Sequence, residues 1–126
     1  MSYSVSLSEN GKFIACKVSG PITLDVAQEF TMELYYLSRT TGVKRFLVDI
    51  RDAPNAMSVS QTYNFAYKAM ENLNFQRDIR GATLISLTDK THYFSETVVQ
   101  NAGYNMRLFH DEEATFAWLF EEKPSK

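Results

Sequence analysis

Apolar and polar residues alternate from Tyr3 to Leu7, where Tyr3, Val5 and Leu7 are set against serines. A period of two predicts a strand with one covered face. Glu9-Asn10-Gly11-Lys12 follows, and Asn-Gly is a strong short-range hairpin signal. Phe13 to Val18 reads as the partner strand, so the chain opens with an antiparallel hairpin. After Gly20-Pro21 the period lengthens. Ala27, Phe30, Leu34 and Leu37 form one stripe of a helix from about Leu24 to Ser38. Thr23 is its N-cap, Asp25 suits the positive end of the helix dipole, and Gly42 is a left-handed stop.

Arg45 to Ile50 is a short apolar run closed by charge and predicts a central strand covered on both faces. A loop carries Arg51-Asp52-Ala53-Pro54-Asn55. Ser58 with Gln61 predicts a capping box and a second helix to about Asn74, with Val59, Tyr63, Ala66, Met70 and Leu73 inward. Ala82 to Leu87 reads as a third core strand. A third helix starts between Thr91 and Ser95 and runs to about Met106, with Phe94, Val98 and Ala102 spaced by four. Gly103 interrupts that pattern, and a helix-ending bend there is preferred over close backbone packing. Arg107-Leu108-Phe109 is an edge strand at most, and Asp111-Glu112-Glu113 opens a last helix running to Phe120. Strands alternating with helices imply an α/β domain whose mixed sheet has parallel neighbours joined by right-handed crossovers. The expected division is one domain over residues 1–122 and a polar tail over 123–126.

Composition narrows the function classes. The 126 residues hold 13 Lys and Arg against 15 Asp and Glu, a net charge of −2. That balance lacks the basic excess of a nucleic-acid binder. A single cysteine, Cys16, precludes an intramolecular disulfide and a cysteine-based zinc site. It sits in an apolar strand and reads as a buried, inert thiol. No apolar run is long enough to span a membrane, and the N-terminal residues lack the pattern of a secretion signal. The expected location is the cytoplasm. No Gly-rich phosphate loop or Gly-x-Ser-x-Gly elbow is present. His92 and His110 flank the third helix at opposite ends and read as surface residues. No catalytic residue, cofactor or metal is therefore expected.

The chain resembles the SpoIIAA-like group within the STAS and Sec14-like α/β folds. The likeness rests on the strand Phe46 to Asp52, the helix–strand junction Asn101 to Phe109, and the ending Asp111 to Leu119 with its acidic start and Ala-Trp-Leu close. It implies a non-catalytic regulatory or protein-interaction module. One departure matters. Phosphorylatable antagonists of the STAS type carry an Asp-Ser-Ser-Gly-like turn before the second helix, where this chain has Asp52-Ala53-Pro54-Asn55-Ala56-Met57-Ser58. A phosphate switch carried over from that family would lack its site, and Ser58 is a helix cap.

Two sets of residues are candidates for contact with something else. Asp49, Arg51, Asp52, Thr88 and Asp89 lie at the carboxyl ends of strands, where open α/β sheets leave room for ligands. A solvated ion-pair cluster is the plainer reading of these groups. With apolar neighbours they define a candidate ligand site of Arg51, Asp52, Met57, Tyr63, Asp89, Tyr93 and Phe94. It suits a small apolar or lipid-like molecule with an anionic head held by Arg51. The second set comes from apolar surplus: nine Phe, seven Tyr and one Trp. Tyr35, Tyr36, Phe65, Phe116 and Phe120 fall off the predicted core stripes and are candidates for a homodimer interface.

Overall fold

The computed structural model describes residues 3–121; the tail expected over 123–126 lies outside the described residues, as does residue 122. Strands β1 (Tyr3–Leu7) and β2 (Ile14–Ser19) form the opening hairpin, in register from Tyr3 opposite Val18 to Leu7 opposite Ile14. Helix α1 (Leu24–Thr41) leads to β3 (Arg45–Asp52). A helix over residues 59–72, here α2, leads to β4 (Arg80–Leu84). Helix α3 (Tyr93–Asn101), β5 (Asn105–Phe109) and α4 (Glu112–Leu119) complete the order. The sheet runs β1-β2-β3-β4-β5, antiparallel at β1 and parallel elsewhere. This is the mixed α/β architecture the sequence pattern predicts.

The two faces of the sheet are covered by different helices. Phe46 and Gly81 are paired in register and lie with Ala27 and Leu34 of α1 around one pocket. Right-handed crossovers between strands laid down in sequence order place α1, α2 and α3 on that face. Arg45 and Arg80, also paired, point the other way and reach the end of α4. Arg45 Nε donates to Leu119 O at 2.9 Å, and Arg80 Nη1 donates to the carbonyls of Trp118, Leu119 and Glu121 at 2.8, 3.2 and 2.9 Å. The last carbonyls of a helix have no partner within it, so two arginines of the sheet close α4 and hold it down.

The helix boundaries follow local chemistry. Thr23 Oγ1 accepts from Val26 N, Asp111 Oδ1 accepts from Ala114 N, and Ser58 and Gln61 form the reciprocal capping box. Gly42, at φ 79°, donates its N–H to Ser38 O and ends α1 three residues beyond the expected Ser38. Gly103, at φ 99°, stops α3 at Asn101 and not at Met106; the freed residues supply β5. β4 begins at Arg80, two residues before the expected Ala82, because it stays in register with β3 from Arg45 onward.

The inward face of α2 differs from the expected one. Val59 and Tyr63 are exposed, whereas Thr62 and Ala66 are buried and Phe65 is half-buried. Two causes are visible. Thr62 Oγ1 donates to Ser58 O at 2.9 Å, so its hydroxyl is satisfied while its methyl packs inward. Residues Phe65–Ala69 form a π-helical turn, with Met70 N–H donating to Phe65 O. The wider turn breaks the 100° step on which a helical stripe depends.

Candidate functional site

The loops after β3 and β4 meet at the carboxyl ends of the central strands. Asn55 ties them together. Its backbone N–H donates to Thr91 Oγ1 at 3.0 Å, and its Nδ2 donates to Thr91 O and Ser95 Oγ, both at 3.2 Å. Its Oδ1 accepts from Met57 N at 3.1 Å. Beneath it lies His92, which is buried and not the surface residue expected, with Nε2 2.8 Å from Ala53 O. A carbonyl only accepts, so Nε2 carries the proton and donates. Burial pushes the His92 imidazole below its ordinary pKa, against the opposing pulls of the Ala53 bond and Asp89, so the ring is neutral. Asp89 Oδ2 lies 3.5 Å from the ring. Burial alone would raise the Asp89 carboxyl, but bonds from the Thr91 hydroxyl and amide hold it low. Neither Asn55 nor His92 was singled out as a ligand candidate by sequence, because their partners are backbone groups and hydroxyls 36 to 40 residues away.

Arg51 lies on the opposite side of the sheet. Spaced by two on one strand, Asp49 and Arg51 share a face, the one that carries α4. Arg51 Nε and Nη2 grip Asp49 at 3.1 and 2.9 Å, and Nη2 also meets Glu112 of α4 at 3.3 Å. Lys17 reaches Asp49 at 3.4 Å and Asp52 at 3.6 Å. Partial burial would raise the Asp49 carboxyl; the bonds and charge of Arg51, with Lys17, outweigh it and hold it low. The strand-end charges are thus an ion-pair cluster. Arg51 is held by Asp49 and by Glu112 of α4, and Asp52 meets Lys17, so the anionic-head site expected from Arg51 beside Met57 is not assembled.

The remaining candidates divide in two. Met57 lines a half-open pocket of about 140 Å³ between the sheet and the three helices. Tyr63 and Phe94 instead meet edge to face on the outer surface, with ring centroids 5.9 Å apart. Tyr67 stacks beside Tyr63 at 6.1 Å. Tyr93 hydrogen-bonds His110 at 3.0 Å. With Val59, these side chains form an exposed aromatic surface across α2 and α3, Val59 being 62% and Tyr67 48% exposed.

Four of the five interface candidates are covered within the chain. Tyr35 is buried, packs on Phe75 and donates to Asn74 O at 2.8 Å. Phe116 and Phe120 surround Phe13, at 5.5 and 5.9 Å, and Arg45 lies over Phe120. Phe65 packs under α2 into the core. Only Tyr36 of the five is exposed, at 74%, so the packing reason for a dimer at the other four is gone. Cys16 is buried and its thiol is pushed up by burial to about 12, which leaves it protonated and unreactive. Among the described residues no group of three metal-ligating side chains comes together, and no helix is long and apolar enough to cross a membrane.

A parallel-dominated sheet opening with a hairpin, with three helices on one face and a short C-terminal helix on the other, defines the class of fold. It is the SpoIIAA-like fold. An uncharacterized DUF3478-family protein with a SpoIIAA-like fold from Shewanella loihica PV-4 superposes with a TM-score of 0.59 over 94% of this chain and 93% of that one, at 15% identity. The anti-sigma factor antagonist SpoIIAA, in its unphosphorylated form, superposes at 0.56 over 96% of this chain and 100% of that one, at 12% identity. No family model and no curated protein sequence matches the chain.

Proposed function

We propose that the protein is a non-catalytic regulatory module that works by docking another protein on the aromatic surface of α2 and α3. The observation that carries this reading is the cluster of Val59, Tyr63, Tyr67 and Phe94, exposed side by side on two neighbouring helices. Contiguous exposed apolar surface on a small domain marks an interaction site, and tyrosine and phenylalanine are the residues protein interfaces favour. The fold adds support, because it is shared with an anti-sigma factor antagonist. The region before α2 carries no phosphorylatable Asp-Ser pair, and Ser58 Oγ accepts from Gln61 N at 3.1 Å as a cap. Regulation in this reading comes from partner availability and not from phosphate on that loop.

The test is co-purification at native expression level from the source cells. The unaltered chain and Tyr36→Ser are expected to retain the same partner in stoichiometric amount, and Tyr63→Ser/Tyr67→Ser to lose it. Absence of a stoichiometric partner, or equal retention by all three proteins, overturns the reading.

A further inference from the structure

We propose that the outer edge of β1 docks a second copy of this chain, the two β1 strands pairing antiparallel about a twofold axis at Val5. This goes beyond the docking of another protein on α2 and α3 and does not rest on it. β1 and β5 are the two ends of the sheet, and the chain treats them differently. At β5, side chains of α3 cover the outward backbone groups: Glu96 accepts from Leu108 N at 3.0 Å, and Gln100 donates to Met106 O at 2.8 Å. At β1, no group among the described residues bonds the outward backbone. Native proteins guard an exposed edge with charge, proline, a bulge or a covering element. β1 reads Tyr-Ser-Val-Ser-Leu, uncharged and without proline, and its register with β2 runs without a bulge.

The hairpin fixes which groups point outward. Ser8 N–H donates to Phe13 O at 2.8 Å. Bonded and non-bonded pairs alternate along an antiparallel ladder, so Ser6 and Ser4 bond β2, while Tyr3, Val5 and Leu7 turn their N–H and C=O groups outward. One register between two copies uses all of these groups. Val5 faces Val5 of the second copy, Tyr3 faces Leu7, and each facing pair exchanges both its bonds. Every outward N–H meets a C=O, so the partial charges of the two edges are complementary and no formal charge opposes another. A slip of two residues leaves outward groups unmatched. The facing side chains share the α1 side of the sheet, so Leu7, 39% exposed, is covered by Tyr3 of the second copy. Tyr3 is held in place beforehand: its ring meets Phe30 edge to face at 6.2 Å, and its hydroxyl donates to Glu33 at 2.6 Å. That preorganisation lowers the cost of pairing. The two sheets become one continuous sheet, with both α2–α3 surfaces on the same face.

The experiment is sedimentation velocity on the full chain over a concentration series, with cysteine cross-linking to read the register. The contact is small, so the dimer is expected to form in the range of about 1–100 µM. In the proposed register Ser4 faces Ser6 of the second copy as a non-bonded pair, with Cα atoms about 4.5 Å apart and within disulfide reach. Both serines are exposed, so changing them leaves the core intact. Ser4→Cys mixed with Ser6→Cys is expected to give a disulfide-linked dimer at least about fivefold faster than either variant alone, whose like cysteines lie about 8 Å apart. Ser4→Lys/Ser6→Lys sets like charges opposite each other and is expected to weaken dimerisation at least about fivefold. A monomer throughout the series, a dimer undiminished in the lysine variant, or equal cross-linking by the mixture and the single variants overturns the proposal.

Discussion

Replacing Arg80 with Met detaches α4 from the sheet by a calculable margin. The Arg80 Nη1 nitrogen has two hydrogens and lies 2.8, 3.2 and 2.9 Å from the carbonyls of Trp118, Leu119 and Glu121. It therefore supplies about two good bonds and one shared one. A hydrogen bond to a charged group contributes ~1.5–3 kcal/mol net, and water at this partly exposed helix end replaces some of that. Methionine keeps most of the aliphatic packing. The expected loss for Arg80→Met is about 2–3 kcal/mol, and about 1–2 kcal/mol for Arg45→Met, which removes one bond. Leu119 O is held by both arginines, so either single variant leaves it paired and the double variant strands it. The double variant should lose about 0.5–1 kcal/mol more than the sum. Urea unfolding followed by Trp118 fluorescence reads all three as midpoint shifts, about 1–2 M for Arg80→Met at the slope usual for a small domain. Strict additivity, or a loss under about 0.5 kcal/mol for Arg80→Met, would refute the claim that these arginines clamp α4.

Ser58→Ala should cost about 1 kcal/mol in urea unfolding, the usual worth of a capping side chain, with no change in partner retention; stoichiometric phosphate on Ser58 in protein from cells would contradict its assignment as a cap. His92 is held neutral by burial, below its ordinary value of 6.5, so the unfolded chain binds more protons as pH falls through that value. Stability should be full above about pH 6.5 and decline from there toward the lower folded value. His92→Gln, which keeps a donor for Ala53 O, should flatten the profile between about pH 7.5 and 5.5, and an unchanged slope would contradict the assignment. The outer edge of β5 is covered by α3 side chains: Glu96 accepts from Leu108 N at 3.0 Å and Gln100 donates to Met106 O at 2.8 Å. Glu96→Ala/Gln100→Ala should expose that edge and promote self-association, measured by sedimentation velocity; an unchanged monomer fraction would contradict it.

The sequence made the fold readable where the cause is local. The Ser58–Gln61 capping box, the Thr23 cap and the Gly42 stop each depend on residues within a turn of one another, and all three stand as expected. The Asp49–Arg51 pair was equally open to inspection, since a spacing of two on a strand puts both on one face. What was not readable depends on distant chain or on missing volume. The orientation of Tyr63 turns on the π-helical turn at Phe65–Ala69, which a regular helical wheel does not represent. The burial of His92 turns on a backbone carbonyl 39 residues earlier. The apolar surplus suggested a dimer because Phe116 and Phe120 were counted against α4 alone, without Phe13 arriving from the hairpin to cover them. The pocket is set by small residues of β4 facing large ones of β3, and only the register of two strands brings those together.

Photo-cross-linking in the source cells tests the docking surface most directly. A photoreactive residue placed at Tyr67, which lies in the aromatic cluster, and another at Tyr36, which is still more exposed on α1, report contacts from two faces of one folded chain. The account predicts one discrete protein adduct from position 67, abolished by Tyr63→Ser, and no such adduct from position 36. No adduct from position 67, or the same adduct from both positions, would contradict it.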